Sequence, residues 1–266
     1  MKAYFVSDLH LVDVADKKSQ LFIHWLDDLT KEDGVTHLFL VGDIFDLWIG
    51  DHAFFKKKWE PITSKLAALK NAGVDIHYFE GNHDLHLAKY WRDQLGVSVH
   101  PDSFDLEIIP GCKLRVEHGD LIDPDDKGYL FLRRCLRTPV ITQVLLHLPE
   151  WFVTYVGQRM SKLSRAYTSA KSKQIHNQEI CQRVRNFAER RHAESAFDFL
   201  ITGHVHVRDD WKLPSGARSI NLGSWFEDPA VLLLHAPEPE PEPEPELKSI
   251  SAKFKFLTGA LSDKFE

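Results

Sequence analysis

The chain has 266 residues, 43% of them hydrophobic and 27% charged, with a formal net charge of −6. That length suits one large domain or two modest ones, and the composition excludes a wholly disordered chain, which lacks the apolar surface to fold. The acidic balance argues against a general nucleic-acid binder, which needs a basic footprint, while 15 His are an excess suited to metal or proton-transfer chemistry.

The N-terminal run Met1-Lys2-Ala3-Tyr4-Phe5-Val6-Ser7-Asp8 passes from a short apolar stretch straight into polar residues, without the long apolar core of a signal peptide. Cys112, Cys135 and Cys181 form no CxxC pair, so neither a disulfide framework nor a zinc finger is expected, and a reducing, cytosolic compartment fits. Short β-rich runs then recur, each ending in polar residues. Residues 3–6 lead into Asp8-Leu9-His10, 37–41 into Gly42-Asp43, and 74–79 into Gly81-Asn82-His83-Asp84. Residues 113–116 lead into Glu117-His118-Gly119-Asp120, and 197–202 into Gly203-His204-Val205-His206. Helical periodicity over 18–29 and 59–72 separates the early runs, the alternation of an α/β layered fold. In such sheets ligands sit at the carboxyl ends of strands, where several loops converge.

Residues 121–195 read as helices instead. Over 127–192 thirteen Lys and Arg stand against three Glu, a local charge of +10 that leaves −16 for the rest and marks a functional insertion. The apolar stretch 139–157 is broken by Gln143, His147, Pro149 and Glu150 and makes a poor membrane span. Residues 221–235 predict two more strands closing the sheet around Gly223-Ser224-Trp225, and five Pro-Glu repeats at 237–246 predict a stiff solvated spacer. Beyond it Leu247, Ile250, Phe254, Leu257, Leu261 and Phe265 recur at helical spacing. The tail 247–266 is therefore expected as an amphipathic helix, docking on its own domain or contacting a partner or a membrane surface.

Taken together, the strand ends form a ligand set. Asp8, His10, Asp43, Asn82, His118, His204 and His206 supply carboxylate, amide and imidazole donors, about as many as two divalent ions need. With no thiolate among them, structural zinc is disfavoured, and mixed N and O donors suit manganese, iron, zinc or magnesium. Two such ions, roughly 3.5–4 Å apart, activate water and stabilise in-line displacement at phosphorus.

Asp8-x-His10, Gly42-Asp43, Gly81-Asn82-His83-Asp84, His118 and Gly203-His204-x-His206 are five separated motifs in order, and over 1–235 they resemble the calcineurin-like metallophosphoesterase signature. The resemblance implies an α/β fold, a four-layer αββα metallophosphoesterase sandwich over 1–236, with 121–195 inserted as a helical lid. It implies that Asp8, His10, Asp43 and His206 hold one metal ion and Asp43, Asn82, His118 and His204 the other, with Asp43 shared and a bridging hydroxide as nucleophile. It also implies that His83 faces the scissile phosphate as general acid or charge stabiliser, with Asp84 orienting it.

Within that family, residues 8–11 and 42–51, Asp126-Lys127-Gly128-Tyr129, Leu148-Pro149, Arg159-Met160 and Ser169-Ala170-Lys171-Ser172 resemble the UDP-2,3-diacylglucosamine diphosphatase branch of lipid A biosynthesis. That resemblance implies two Mn2+ ions, a nucleotide-linked lipid substrate cleaved to UMP and a lipid monophosphate, and peripheral work at the cytoplasmic face of the inner membrane. Asp126, Tyr129, Ser164, Thr168 and Lys171, with Asn82 and His204, are implied as substrate contacts. The basic segment suits an anionic diphosphate and anionic headgroups. Leu130, Phe131, Val144, Leu145, Leu146, Trp151, Phe152, Val153 and Tyr155 are expected to line an acyl groove or to pack as ordinary core. The chain departs from the branch at His83 and Ser161, where the branch has Arg, at Thr168, where it has Asn, and at 203–208, which lacks a final Pro. A paralogous esterase acting on another nucleotide- or lipid-linked phosphoester and a metal-free scaffold of the same fold are the alternatives. The intact ligand set speaks against the scaffold, and the acidic remainder against a nuclease.

Overall fold

The computed structural model describes residues 1–153, 155, 159, 177–225, 229–236 and 253–258. The chain first runs β1 (Lys2–Val6), α1 (Lys17–Leu29), β2 (Val35–Val41), β3 (Trp48–Ile49), α2 (Ala53–Lys58), α3 (Glu60–Asn71), β4 (Asp75–Phe79), β5 (Asp84–Leu85), α4 (Ala88–Trp91) and β6 (Ser98–His100). It continues through β7 (Phe104–Ile109), β8 (Cys112–Val116), α5 (Lys127–Leu136), α6 (Pro139–His147), α7 (Asn177–Glu194), β9 (Phe199–Thr202), β10 (Asp209–Lys212), β11 (Arg218–Asn221), β12 (Ala230–His235) and β13 (Lys253–Thr258).

Two sheets face each other, one ordered β13-β12-β1-β2-β4-β6 and the other β10-β11-β9-β8-β7. The expected αββα layering follows from how each strand divides its side chains. Along β1, Ala3 and Phe5 point between the sheets, where Phe5 stacks on Phe39 at 4.4 Å and meets Leu114, Val116, Ile201 and Ile220 from the second sheet. Tyr4 and Val6 point outward into a second core built with α1 and α3. Burial on both faces is why residues 3–6 of β1 and 38–41 of β2 read as unbroken apolar runs rather than alternating ones. In α1, Phe22, Trp25, Leu26 and Leu29 form one stripe against this face. On the far side Val184, Phe187 and Ala188 of α7 cover Leu200 and Leu213, completing the fourth layer.

β1, β2 and β4 are parallel in one sheet and β8, β9 and β11 in the other, so their carboxyl ends share one edge of the sandwich. Three expectations need correction. The two late strands are Arg218–Asn221 and Ala230–His235, and they join different sheets, because the chain crosses between layers at 222–225. Helix α7, read as part of the insertion, is a layer of the sandwich. Residues 253–258 of the tail form a strand, antiparallel to β12, rather than a helix. There Lys253-Phe254-Lys255-Phe256 also alternates with period two, and the open edge of β12 selects that period; Phe254 and Phe256 pack toward the inter-sheet core. The spacer 237–246 and the rest of the tail lie outside the described residues. Among the described residues no helix is long and apolar enough to cross a membrane.

Candidate metal centre

Five of the seven expected ligands, Asp8, His10, Asp43, His204 and His206, have φ between 45° and 70°. This left-handed backbone is costly for side-chain-bearing residues and persists only where the surroundings enforce it. Here the loops enforce one another: the Asp8 N–H donates to the Gly42 carbonyl at 3.1 Å, that of His10 to the Asp43 carbonyl at 3.0 Å, and that of Gly203 to the His118 carbonyl at 2.8 Å. Gly42, at φ 79°, leaves room for the His118 ring, which a Cβ would strike; a Cβ on Gly203 would strike the Asp8 carboxylate.

Among the expected ligands two clusters of donor atoms result, Asp8 with His10 and His206, and Asp43 with His118 and His204; a third group joins His10 with Asp46 and His83. His206 Nε2 lies 3.4 Å from Asp8 Oδ1 and 3.4 Å from His10 Nε2. In the second cluster His118 Nε2 lies 3.2 Å from His204 Nδ1, 3.3 Å from Asn82 Oδ1 and 3.5 Å from Asp43 Oδ2. The same Asp43 oxygen is 3.8 Å from His10 Nε2, so Asp43 stands between the clusters. Its other oxygen, Oδ1, accepts the backbone N–H groups of Asn82 and His83, each at 2.9 Å. His118 donates Nδ1–H to the Val41 carbonyl at 2.9 Å, which turns Nε2 toward the cluster. The donor set fits divalent ions, because ligands about 2.0–2.1 Å from an ion at tetrahedral angles lie about 3.3 Å apart.

Burial opposes a positive ring at every one of these histidines. It prevails at His10, pushed down to about 3, and at His204, pushed down to about 4 with His118 beside it. At His118 the Asp43 carboxylate outweighs burial and carries the pKa up to about 10. The Asp43–His118 pair thus holds a proton that an incoming metal ion must displace.

The remaining expected residues fall into three groups. His83, buried beside His10 with ring centroids 4.8 Å apart, donates Nδ1–H to the Asp46 carbonyl at 2.9 Å. Asp84 does not orient it: Oδ1 accepts the Gly81 and Asp43 N–H groups at 2.7 and 3.1 Å, and Oδ2 accepts the Ile44 N–H and the Tyr78 hydroxyl at 2.9 and 2.6 Å. Asp84 therefore bolts the Gly42-Asp43 loop to the Gly81-Asn82 loop, and burial with Asp43 nearby raises its pKa to about 7. Of the expected substrate contacts, Asp126 caps α5 by accepting the Tyr129 N–H at 3.1 Å, and Tyr129 gives its hydroxyl to Asp120 at 2.7 Å while its ring centroid lies 6.0 Å from that of His204. Ser164, Thr168 and Lys171, like Ser161, lie outside the described residues.

Asp46, Tyr78 and Asp120 escaped sequence reading. Only Asp120, in the polar run after β8, carried a signal there; the roles of Asp46 and Tyr78 depend on where a carbonyl and a hydroxyl point. The proposed acyl-lining set also divides. Val153 is buried in the outer core with α1 and α3, whereas Phe131, Val144, Trp151, Phe152 and Tyr155 are exposed.

Residues 1–208 match the calcineurin-like phosphoesterase family. Among curated relatives, proteins named UDP-2,3-diacylglucosamine hydrolase are similar over most of the chain. The one from Tolumonas auensis is 30% identical over 232 residues, 86% of this chain and 91% of the relative. Those from Enterobacter sp. and Histophilus somni are 28% and 26% identical over 235 residues, 87% and 88% of this chain and 94% and 97% of the relatives.

Proposed function

The chain belongs to the calcineurin-like phosphoesterase family and is a metal-dependent phosphoesterase, and we propose that it hydrolyses the diphosphate of UDP-2,3-diacylglucosamine to UMP and 2,3-diacylglucosamine 1-phosphate. The observation that carries this reading is the placement of exposed apolar helix faces beside a phosphoryl site. Phe131, Val140 and Val144 are 71%, 72% and 49% exposed on α5 and α6, and α5 places Tyr129 against His204. A substrate with a charged diphosphate and long acyl chains matches both surfaces. The relatives named for that substrate span the helical segment as well as the sheets.

Asp8, His10 and His206 would hold one ion, Asn82, His118 and His204 the other, with Asp43 shared. The hard carboxylate and amide oxygens beside imidazoles favour Mn2+. Two such ions supply an activated water and neutralise charge on the phosphoryl oxygens. Asp43, with Oδ1 fixed by two backbone N–H groups, keeps Oδ2 fixed between the two clusters. His83 has its Nδ1–H committed to the Asp46 carbonyl, so Nε2 is the atom left to face the phosphoryl group; in the imidazolium form, with a second proton on Nε2, it would steady that group and give that proton to the leaving phosphate, returning to the neutral ring. The exposed apolar faces support peripheral work at the cytoplasmic surface of the inner membrane, where a lipid-linked substrate would reside.

The test is UMP release from UDP-2,3-diacylglucosamine by Mn2+-loaded protein. Protein that leaves this substrate intact yet cleaves simple phosphodiesters is instead a paralogous phosphodiesterase, the reading favoured by His83 where the branch has Arg. Protein that takes up no metal at saturating Mn2+ is a scaffold.

A further inference from the structure

Arg133 of α5 and Arg137, the residue that caps its C-terminus, tie together loops that leave the two sheets. Arg133 and Arg137 stand four residues apart and so share one helix face. Arg133 donates from Nε to Asp120 Oδ2 at 2.6 Å and from Nη2 to Asp102 Oδ1 at 2.9 Å. Arg137 donates from Nη1 to the Pro101 carbonyl at 2.7 Å and to Glu80 Oε2 at 3.3 Å, with Nη2 3.4 Å from the Gly81 carbonyl.

Their partners sit where the ligands leave the sheets. Asp120 lies two residues past His118, at the end of β8. Glu80 and Gly81 immediately precede Asn82, at the end of β4. Pro101 and Asp102 lie on the connection from β6 to β7, which joins the two sheets. α5 thus clasps the two loops whose ligand atoms, Asn82 Oδ1 and His118 Nε2, approach to 3.3 Å from opposite sheets. Glu80 and Asp120 are buried, and a buried carboxylate stripped of its cation is strongly unfavourable, so these loops follow their arginines.

We propose that Arg133 and Arg137 are positioning residues for the ion assigned to Asp43, Asn82, His118 and His204, fixing the distance between Asn82 and His118 across the sandwich. The inference rests on that ligand assignment. Charge and position act here in opposite directions. Removing a nearby cation strengthens the attraction of the site for a divalent ion. Loosening the loops weakens binding, and loss of an outer partner of a metal ligand typically costs about 10–100-fold in affinity. The sign of the change therefore separates the two effects.

The experiment is a calorimetric Mn2+ titration of metal-free full-length protein, with the exchange-coupled Mn2+ pair signal in electron paramagnetic resonance as a second readout. Wild type binds two ions. Arg133→Gln and Arg137→Gln each bind the ion of the Asp8 cluster normally, bind the second at least about tenfold more weakly, and show the pair signal only at correspondingly higher Mn2+. Arg137→Lys keeps the charge without the planar fork and recovers part of the loss. Arg134→Gln, exposed on the same helix, is the control for charge alone and leaves the second ion as tight as in wild type. Circular dichroism checks the fold, and if a Gln variant unfolds, the Lys variant at that position is read by the same criterion. Unchanged or tighter binding of the second ion in folded variants overturns the proposal. Wild-type protein that takes up fewer than two ions removes the ligand assignment beneath it.

Discussion

The ligand-bearing edge and the basic segment after β8 use charge in different ways. At the edge, Asp8, Asp43, His10, His118 and His206 face one another at 3.4–3.9 Å, where nothing but a proton or a metal ion reconciles them. Among the nine described cations of the basic segment, five turn inward to acids of the sandwich: Arg133 to Asp120, Arg137 to Glu80, Arg183 to Asp123, Arg185 to Asp209 and Arg191 to Glu117. The +10 segment and the −16 remainder are in part each other's counterions. A charge asymmetry along a chain is thus weak evidence for an anion-attracting surface until its partners are known.

At the edge, the comparison breaks if a ligand proves dispensable. Replacing Asp43 by Asn removes a carboxylate that lies within 4 Å of both His10 and His118, and turnover is expected to fall by at least about 10³-fold, with weaker uptake of both ions in a Mn2+ titration. Retention of a tenth of the activity would remove Asp43 from its shared position. His83→Ala is expected to lower turnover by about 10²–10⁴-fold while two ions still bind, separating phosphoryl chemistry from metal holding. Its neighbour behaves differently. Asp84→Asn leaves one acceptor oxygen for four donors, so urea unfolding should show a loss of about 3 kcal/mol; unchanged stability would contradict its role as the bolt between two loops.

A smaller effect appears in the pH dependence of stability. The His118 pKa is raised from 6.5 to about 10 in the folded protein, so its proton stabilises the metal-free fold fully below pH 6.5, and this contribution is lost as pH rises toward 10. A bound ion takes the place of that proton. The stabilisation conferred by Mn2+ should therefore grow between pH 6.5 and 10, by up to about 1.4 kcal/mol per pH unit for one proton displaced. Melting temperatures with and without Mn2+ across that window check this, and a constant difference would show that His118 surrenders no proton.

The edge was legible in the sequence because two local signals coincide there. An apolar run long enough for a doubly buried strand ends, and a metal-ligating side chain follows at once, as at Phe5-Val6-Ser7-Asp8 or Ile201-Thr202-Gly203-His204. No tertiary information is needed to place those residues at one edge once the strands are parallel. The tail was misread because Phe254 and Leu257 satisfy a helical period while Phe254 and Phe256 satisfy a strand period, and only the unpaired edge of β12 decides between them. For Val153 the two expected alternatives could not be separated for a similar reason: one apolar residue looks the same to a periodicity whether it meets lipid or, as here, the core under α1 and α3. The role of Asp84 was hidden because its partners are three backbone N–H groups and a tyrosine from other parts of the chain.

If the cations of the basic segment are partly occupied, the segment must recognise a lipid-linked substrate chiefly through its apolar faces. Trp151 is 70% exposed, and with Val140 and Phe131 it presents more apolar surface than a solvated helical layer requires. Trp151→Ala and Val140→Asn should each raise KM for the diacylated substrate by up to about tenfold, the equivalent of about 1.4 kcal/mol of lost apolar contact. Turnover of a short soluble diester should stay unchanged, because both side chains are largely exposed and neither is among the metal-ligand residues. Raising the salt from about 0.05 to 0.5 M should change KM for the lipid substrate less than either substitution does, since screening weakens exposed charges and leaves apolar contacts in place. A steep salt dependence with silent apolar variants would reverse the assignment. It would mean that Lys127, Arg134 and Arg190, exposed cations of the segment, hold the substrate by charge after all.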